Sequence, residues 1–245
     1  MLASFPPVIG HRGAAAHAPE NTLESIRHAA HLGVEMVEID VQLSSDEVPV
    51  IIHDWSLDRT TTAGGLVYAT PWATIRELDA GAPFGEAFAG EHVPTLQEVL
   101  ALCSELHLRL NIEIKPYPGT EVRTAQIALA AVRDLWSDPS SLLISSFSVT
   151  SLMVAKEMAP DIARGYLIDE RPDVWSANAD AVGAATINFD HEKTTDKMIA
   201  EYRATGRPVL SYTVNSAHRA QELFRLGVNA VFTDFPGRIL EVSPW

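Results

Sequence analysis

Short apolar runs alternate with amphipathic stretches of helical period along nearly the whole chain, and this alternation restricts the fold more than any other feature. PPVIGHRG reads as a first strand, followed by the helix NTLESIRHAAHLG, with Asn21 or Thr22 near its N-cap and Gly33 as its stop. EMVEIDVQL and VPVIIHD are strand-like, PTLQEVLALCSELH is a helix opened by Pro94 and Thr95, and LRLNIEIK is a strand before the long helix TEVRTAQIALAAVRDLW. SLLISSF, IARGYLI, ATINFD, PVLSYTV and NAVFTDF continue the strand set, with helical segments between them. Such alternation predicts a parallel sheet covered by helices. About eight units fit within 245 residues, so the expected fold is α/β, a closed (β/α)8 TIM barrel in a single domain over 1–245. A doubly wound open sheet is the alternative, although no GxGxxG follows the first strand.

Residues 55–93 break the rhythm. They hold no long periodic helix and are rich in Gly, Thr and Ala, which predicts a small insertion over one barrel end, after the second strand region.

Composition excludes some functions. The formal net charge of −14, from 18 basic and 32 acidic residues, argues against nonspecific nucleic-acid binding and against docking on anionic membranes. A small anionic substrate remains compatible, because a site can be locally positive on an acidic protein. Cys103 is the only cysteine, so intramolecular disulfides are excluded, and its place in an apolar-periodic helix predicts a buried, inert thiol. The start lacks a secretory signal and no run approaches a membrane span, so a soluble, cytoplasmic protein without membrane insertion is expected. The helices could serve a monomer or a homodimer alike.

Within VEMVEIDVQ, Val37, Ile39 and Val41 share one strand face, which puts Glu38, Asp40 and Gln42 on the other. Neighbouring carboxylates on one face repel, and burial would penalise each charge further. Active sites of barrels lie at the C-terminal strand ends, where polar residues should concentrate. His11 and Arg12 end the first strand, His53 and Asp54 end VIIHD, and Glu113 and Lys115 share a strand face with Asn111. Each has a bland reading alone: a hydrogen-bonded core histidine, a solvated carboxylate face, an ion pair of little consequence. Their recurrence at strand ends favours one site.

Glu38, Asp40 and Glu113 converging from two strands would suit one hard divalent cation with oxygen ligands, Mg²⁺ or Ca²⁺, with Mn²⁺ also in range. Zinc fits less well, since there is no HxH or HExxH pair. A phosphate is the group such a site would hold best, with Arg12 offering a fork of donors and Lys115 a point charge. His11 and His53 are then available for proton transfer, one as base and one as acid. This makes phosphodiester cleavage chemically coherent.

HRGAAAHAPENT, VEIDVQLSSDEVPVIIHD, LDRTTTAGG, VPTLQEVL, NIEIK and GVNAVFTDFP together resemble the glycerophosphodiester phosphodiesterases in order and spacing, from about Val8 to Pro236. The resemblance implies a (β/α)8 barrel with an insertion, and hydrolysis of glycerophosphodiesters such as glycerophosphocholine or glycerophosphoethanolamine to glycerol 3-phosphate and an alcohol. It implies a metal on Glu38, Asp40 and Glu113, an acid–base pair in His11 and His53, and Arg12 and Lys115 near the phosphate. Glu20 and Asn21 of PENT are expected to support the first loop. Two positions depart from the family: Tyr212 stands where Trp is usual, an aromatic wall with an added hydroxyl, and Asn229 replaces a common Asp. Alternatives are a barrel phospholipase acting on lysophospholipids, or a non-catalytic polyol-phosphate binder on a retired scaffold. Preference for lysophosphatidylcholine would mark the first, and tight binding without turnover the second.

Overall fold

The computed structural model describes residues 5–244. Eight parallel strands close on themselves: β1 (Val8–Gly10), β2 (Met36–Leu43), β4 (Arg109–Ile114), β5 (Leu142–Ser146), β6 (Ala163–Ile168), β7 (Thr186–Asp190), β8 (Val209–Tyr212) and β9 (Ala230–Thr233). β1 pairs with both β2 and β9, which leaves no free edge in the ring. Helices α1 (Leu23–His31), α3 (Leu96–Glu105), α4 (Glu121–Leu135), α5 (Val149–Met158), α6 (Trp175–Val182), α7 (Asp196–Arg203), α8 (Ala217–Arg225) and α9 (Pro236–Leu240) return the chain between strands or close it. The barrel expected from the alternation is the observed fold. No helix among the described residues is long and apolar enough to cross a membrane.

Strand period sorts the side chains into shells. Val37, Ile39, Val41, Leu110, Ile112 and Ile114 face outward into a core shared with α1, α3 and α4. Facing inward, Ile9, Met36, Leu143, Leu210, Ala230 and Phe232 form an apolar layer that fills the barrel. Along β2 the inward face changes from Met36 to Glu38, Asp40 and Gln42, so the apolar layer gives way to charge toward the C-terminal end.

One expectation needs correction. VPVIIHD does not end in a barrel strand: β3 (Pro49–Ile51) is antiparallel to the outer half of β2 and lies outside the ring. The physical reason is connection length. Leu43 and Pro49 are joined by residues 44–48, enough for a hairpin, whereas a parallel crossover needs about a dozen or more. His53 and Asp54 therefore hang from an arm beside the barrel.

Residues 55–93 follow that arm and contain the short helix α2 (Trp72–Ile75) between two single 3₁₀ turns, Val67–Ala69 and Glu86–Phe88. Leu57, Val67, Ile75, Ala80 and Val93 bury an apolar cluster of their own with Val50 and Ile52 of the arm. The Asp79 carboxylate accepts from the backbone N–H groups of Gly81, Ala82 and Gly90, which folds the loop ahead of α3.

Candidate active site

Register brings the acidic residues together. In the β2–β4 pairing Glu38 lies opposite Asn111 and Asp40 opposite Glu113, all on the inward face. One oxygen from each of Glu38, Asp40 and Glu113 lies within 4.8 Å of the others. Glu38 is 3% exposed and Asp40 1%. Burial, then Asp40, then Glu113 push the Glu38 carboxyl well above its ordinary pKa. Burial also raises Glu113, to about 7, against the pull of Lys115. For Asp40, burial is outweighed by Arg12 and Lys115, which hold it at about 2. Asn21 adds to this: its Nδ2 donates to Asp40 Oδ2 at 2.8 Å, while the Asp40 backbone N–H donates to Asn21 Oδ1 at 3.2 Å.

Glu38 Oε1 and Asn111 Oδ1 are buried with no hydrogen-bond partner, and Glu113 Oε1 has no hydrogen bond and only the ion-pair contact of Lys115 Nζ, 3.6 Å away. Such acceptors are costly unless something positive meets them. This donor set, all oxygen and mostly anionic, fits a hard divalent cation.

The histidines arrive by separate routes. β1 pairs with β9 at Gly10 and Thr233, so the next residues, His11 and Asp234, emerge side by side, with His11 Nδ1 2.7 Å from Asp234 Oδ1. Asn215 Nδ2 donates to the other Asp234 oxygen at 2.7 Å. Burial raises the Asp234 carboxyl, but its bond and attraction to His11 leave it below the usual range. After His11, Arg12 adopts φ 51° and Gly13 φ 86°. A Cβ on Gly13 would lie 2.3 Å from Ser25 Oγ, so this sharp turn requires glycine. The turn aims the Arg12 backbone N–H at Glu38 Oε2, 2.9 Å away.

His53 comes from the arm, with Nδ1 2.6 Å from Asp54 Oδ1 and Nε2 2.5 Å from Lys115 Nζ. A lysine ammonium only donates, so Nε2 accepts and Nδ1 carries the proton toward Asp54. Burial lowers the His53 pKa despite the pull of Asp40, consistent with a neutral ring. Lys115 Nζ also lies 3.7 Å from Asp40 Oδ1 and 3.6 Å from Glu113 Oε1.

His11, Arg12, Glu38, His53, Glu113, Lys115 and Tyr212 border one cavity of about 170 Å³. A more open groove of about 400 Å³ shares Glu113, Lys115 and Phe147 with it and continues past Trp55 and Glu121. The Tyr212 hydroxyl donates to the Ile168 carbonyl at 2.8 Å, so the ring, not the hydroxyl, is its contribution to the cavity. Glu20 and Asn21 sit behind the cavity, Glu20 on Arg12 Nη1 at 2.7 Å and Asn21 on Asp40. Asn229 Oδ1 accepts from the Val209 backbone N–H at 2.9 Å, a bond between strands away from the chemistry.

Three participants escape a linear reading of the sequence: Asp234 and Asn215 behind His11, and Arg59, which bonds both Asp54 and Glu20. Asp234 had a signal, an acidic residue just beyond the last strand of the barrel.

The model of the glycerophosphoryl diester phosphodiesterase family matches residues 11–238. The chain belongs to that family. As a member it is an enzyme of the phosphoric diester hydrolase class. It is 33% identical over 240 residues to a glycerophosphodiester phosphodiesterase of Caldanaerobacter subterraneus subsp. tengcongensis, covering 96% of both chains. A Bacillus altitudinis glycerophosphodiester phosphodiesterase is 32% identical over 244 residues, covering 96% of this chain and 97% of the other. Among solved structures, a phosphodiesterase of Oleispira antarctica in complex with the product sn-glycerol-3-phosphate superposes with a TM-score of 0.93 at 38% identity, over 97% of this chain and 96% of that one.

Proposed function

We propose that this phosphodiesterase hydrolyses glycerophosphodiesters, such as glycerophosphocholine or glycerophosphoethanolamine, to glycerol 3-phosphate and the free alcohol. The observation that carries the reading is that two carboxylate-backed histidines, His11 and His53, border one cavity with Glu38 and Glu113, whose carboxylates cluster with the buried Asp40. The named activity of the relatives and the product held by the Oleispira antarctica enzyme agree with it.

In this reading the enclosed cavity receives the glycerol and phosphate, and the open groove past Trp55 receives the variable alcohol. Arg12 and Lys115 bind and orient the phosphoryl oxygens. His53, held neutral by its Nδ1–H toward Asp54, takes at Nε2 the proton of the attacking group once Lys115 turns to the phosphoryl oxygens. That group is water, or the glycerol hydroxyl next to the phosphate, in which case water then opens the cyclic phosphate. His11 protonates the departing alkoxide, and Asp234 stabilises the imidazolium from behind. Glu38, Asp40 and Glu113 would hold Mg²⁺ or Ca²⁺, which when bound supplies positive charge for the phosphoryl oxygens. The ring of Tyr212 walls the cavity. The same proposal treats 1–245 as a single domain, with 55–93 as an insertion bordering the groove.

The test is release of glycerol 3-phosphate from glycerophosphocholine, with EDTA and then with added Mg²⁺ or Ca²⁺, alongside Glu38→Ala. Release that needs the metal and is lost in the variant is the expected result. No release with any metal, or faster turnover of lysophosphatidylcholine, would replace this reading.

A further inference from the structure

His53 hangs from an arm outside the barrel ring, while Arg12 stands on the loop after β1. Gln42 Nε2 of β2 donates to the carbonyls of Ile52, His53 and Asp54, which ties the arm's backbone to the barrel. The direction of the His53 ring relative to Arg12 is left to side-chain contacts. Arg59, six residues beyond His53, spans the space between the two. Its Nε donates to Asp54 Oδ2 at 2.7 Å and its Nη2 to Asp54 Oδ1 at 3.1 Å. The other side of the same guanidinium donates to Glu20, Nη1 to Oε2 at 2.7 Å and Nη2 to Oε1 at 2.8 Å. Each carboxylate is shared with a residue of the cavity. Asp54 Oδ1 also meets His53 Nδ1 at 2.6 Å, and Glu20 Oε1 accepts from Arg12 Nη1 at 2.7 Å. The result is an unbroken path, His53–Asp54–Arg59–Glu20–Arg12, in which charges alternate from Asp54 onward.

We propose that Arg59 is a positioning residue for hydrolysis: its planar fork locks Asp54 and Glu20 to each other, and through them sets His53 and Arg12 in one relative arrangement. The role in hydrolysis rests on the function proposed above. Arg59 does not border the cavity, so it acts only through the two carboxylates. Planarity matters here, because a guanidinium can hold two carboxylates in two fixed directions whereas an ammonium is a point charge. Removing it leaves Asp54 facing Glu20 with no cation between them, Arg12 remaining on the far side of Glu20, and repulsion then turns Asp54 away from His53. The Arg59 side chain is 48% exposed, so its ion pairs contribute little to global stability. A merely structural role would therefore show as a small loss of stability and no loss of rate.

The experiment compares wild type, Arg59→Ala and Arg59→Lys with glycerophosphocholine as the probe. Arg59→Ala should stay folded and lose kcat by roughly 10- to 100-fold, the range typical for groups that orient a ligand from behind. Low concentrations of added guanidinium should restore part of that loss, since the vacated space opens to solvent. Arg59→Lys should fall between the two. Side-chain ¹⁵N spectra of the histidines read the same point without substrate: one His53 tautomer, protonated at Nδ1, in wild type, and mixed tautomers in Arg59→Ala. Unchanged kcat together with a single tautomer in Arg59→Ala would overturn the proposal. If that variant does not fold, full kcat and a single tautomer in Arg59→Lys would overturn it equally, because the fork would then be dispensable. If wild type hydrolyses no glycerophosphodiester, the proposed function fails, while the spectra still decide whether Arg59 sets the His53 ring.

Discussion

Asp234 contributes at the level of single atoms. It takes the Nδ1 side of His11 and is itself held by Asn215, so the His11 ring has one orientation and its Nε2 side is left for substrate. Asp234→Asn should keep the fold and lower kcat about 10- to 100-fold, measured by steady-state release of glycerol 3-phosphate. His11→Ala and His53→Ala should each lower kcat by roughly 10²- to 10⁴-fold, the usual contribution of a general acid or base. Near wild-type turnover in both would remove them from the chemistry. Cys103 illustrates burial without function. It is 0% exposed, and burial pushes its thiol up to about 12. A raised folded pKa means that the thiol's contribution to stability is complete below the unfolded value near 9 and is lost as pH rises through about 12. Native protein at pH 8 should therefore resist aromatic disulfide reagents until denaturant is added, and its stability margin over Cys103→Ala should shrink above pH 9.

At the scale of elements, α3 is anchored where the insertion ends. Thr95 caps it, with the Glu98 backbone N–H donating to Thr95 Oγ1 at 3.2 Å and the Thr95 N–H donating to Glu98 Oε2 at 2.7 Å. The preceding Pro94 carbonyl accepts from Ile51 N–H of the arm at 2.8 Å, so the cap also fixes the outer strand from which His53 hangs. Thr95→Ala should cost about 1 kcal/mol in urea unfolding, because the Glu98 backbone N–H loses its acceptor, Thr95 Oγ1. The cap was legible in the sequence as Pro94-Thr95 ahead of an apolar period, and so were most strands. The antiparallel turn of β3 was harder to read, because its composition matches a barrel strand and only the shortness of residues 44–48 reveals the hairpin.

At the scale of the whole molecule, the barrel gathers buried carboxylates that oppose folding in the metal-free state. A bound dication should reverse this, adding about 2.7 kcal/mol of stability at a concentration one hundred times its Kd. Thermal unfolding with EDTA and with Mg²⁺ or Ca²⁺ measures the gain. Glu38→Gln should abolish the metal-induced shift yet melt higher than wild type in EDTA, since a neutral amide replaces a carboxyl whose ionisation is opposed by burial, Asp40 and Glu113. A lower melting point in EDTA would show that the Glu38 charge is already compensated by Arg12. The strand–helix alternation, the shared face of Glu38 and Asp40 on β2 and the residues at the strand ends are legible in the chain alone, because period and turn chemistry are local properties. Only the tertiary structure decided which of them meet. His11 and Asp234 are 223 positions apart, and Arg59 and Glu20 are 39 apart. Ring closure and the packing of the arm against the barrel create those contacts, and no local spacing encodes which side chains they bring together.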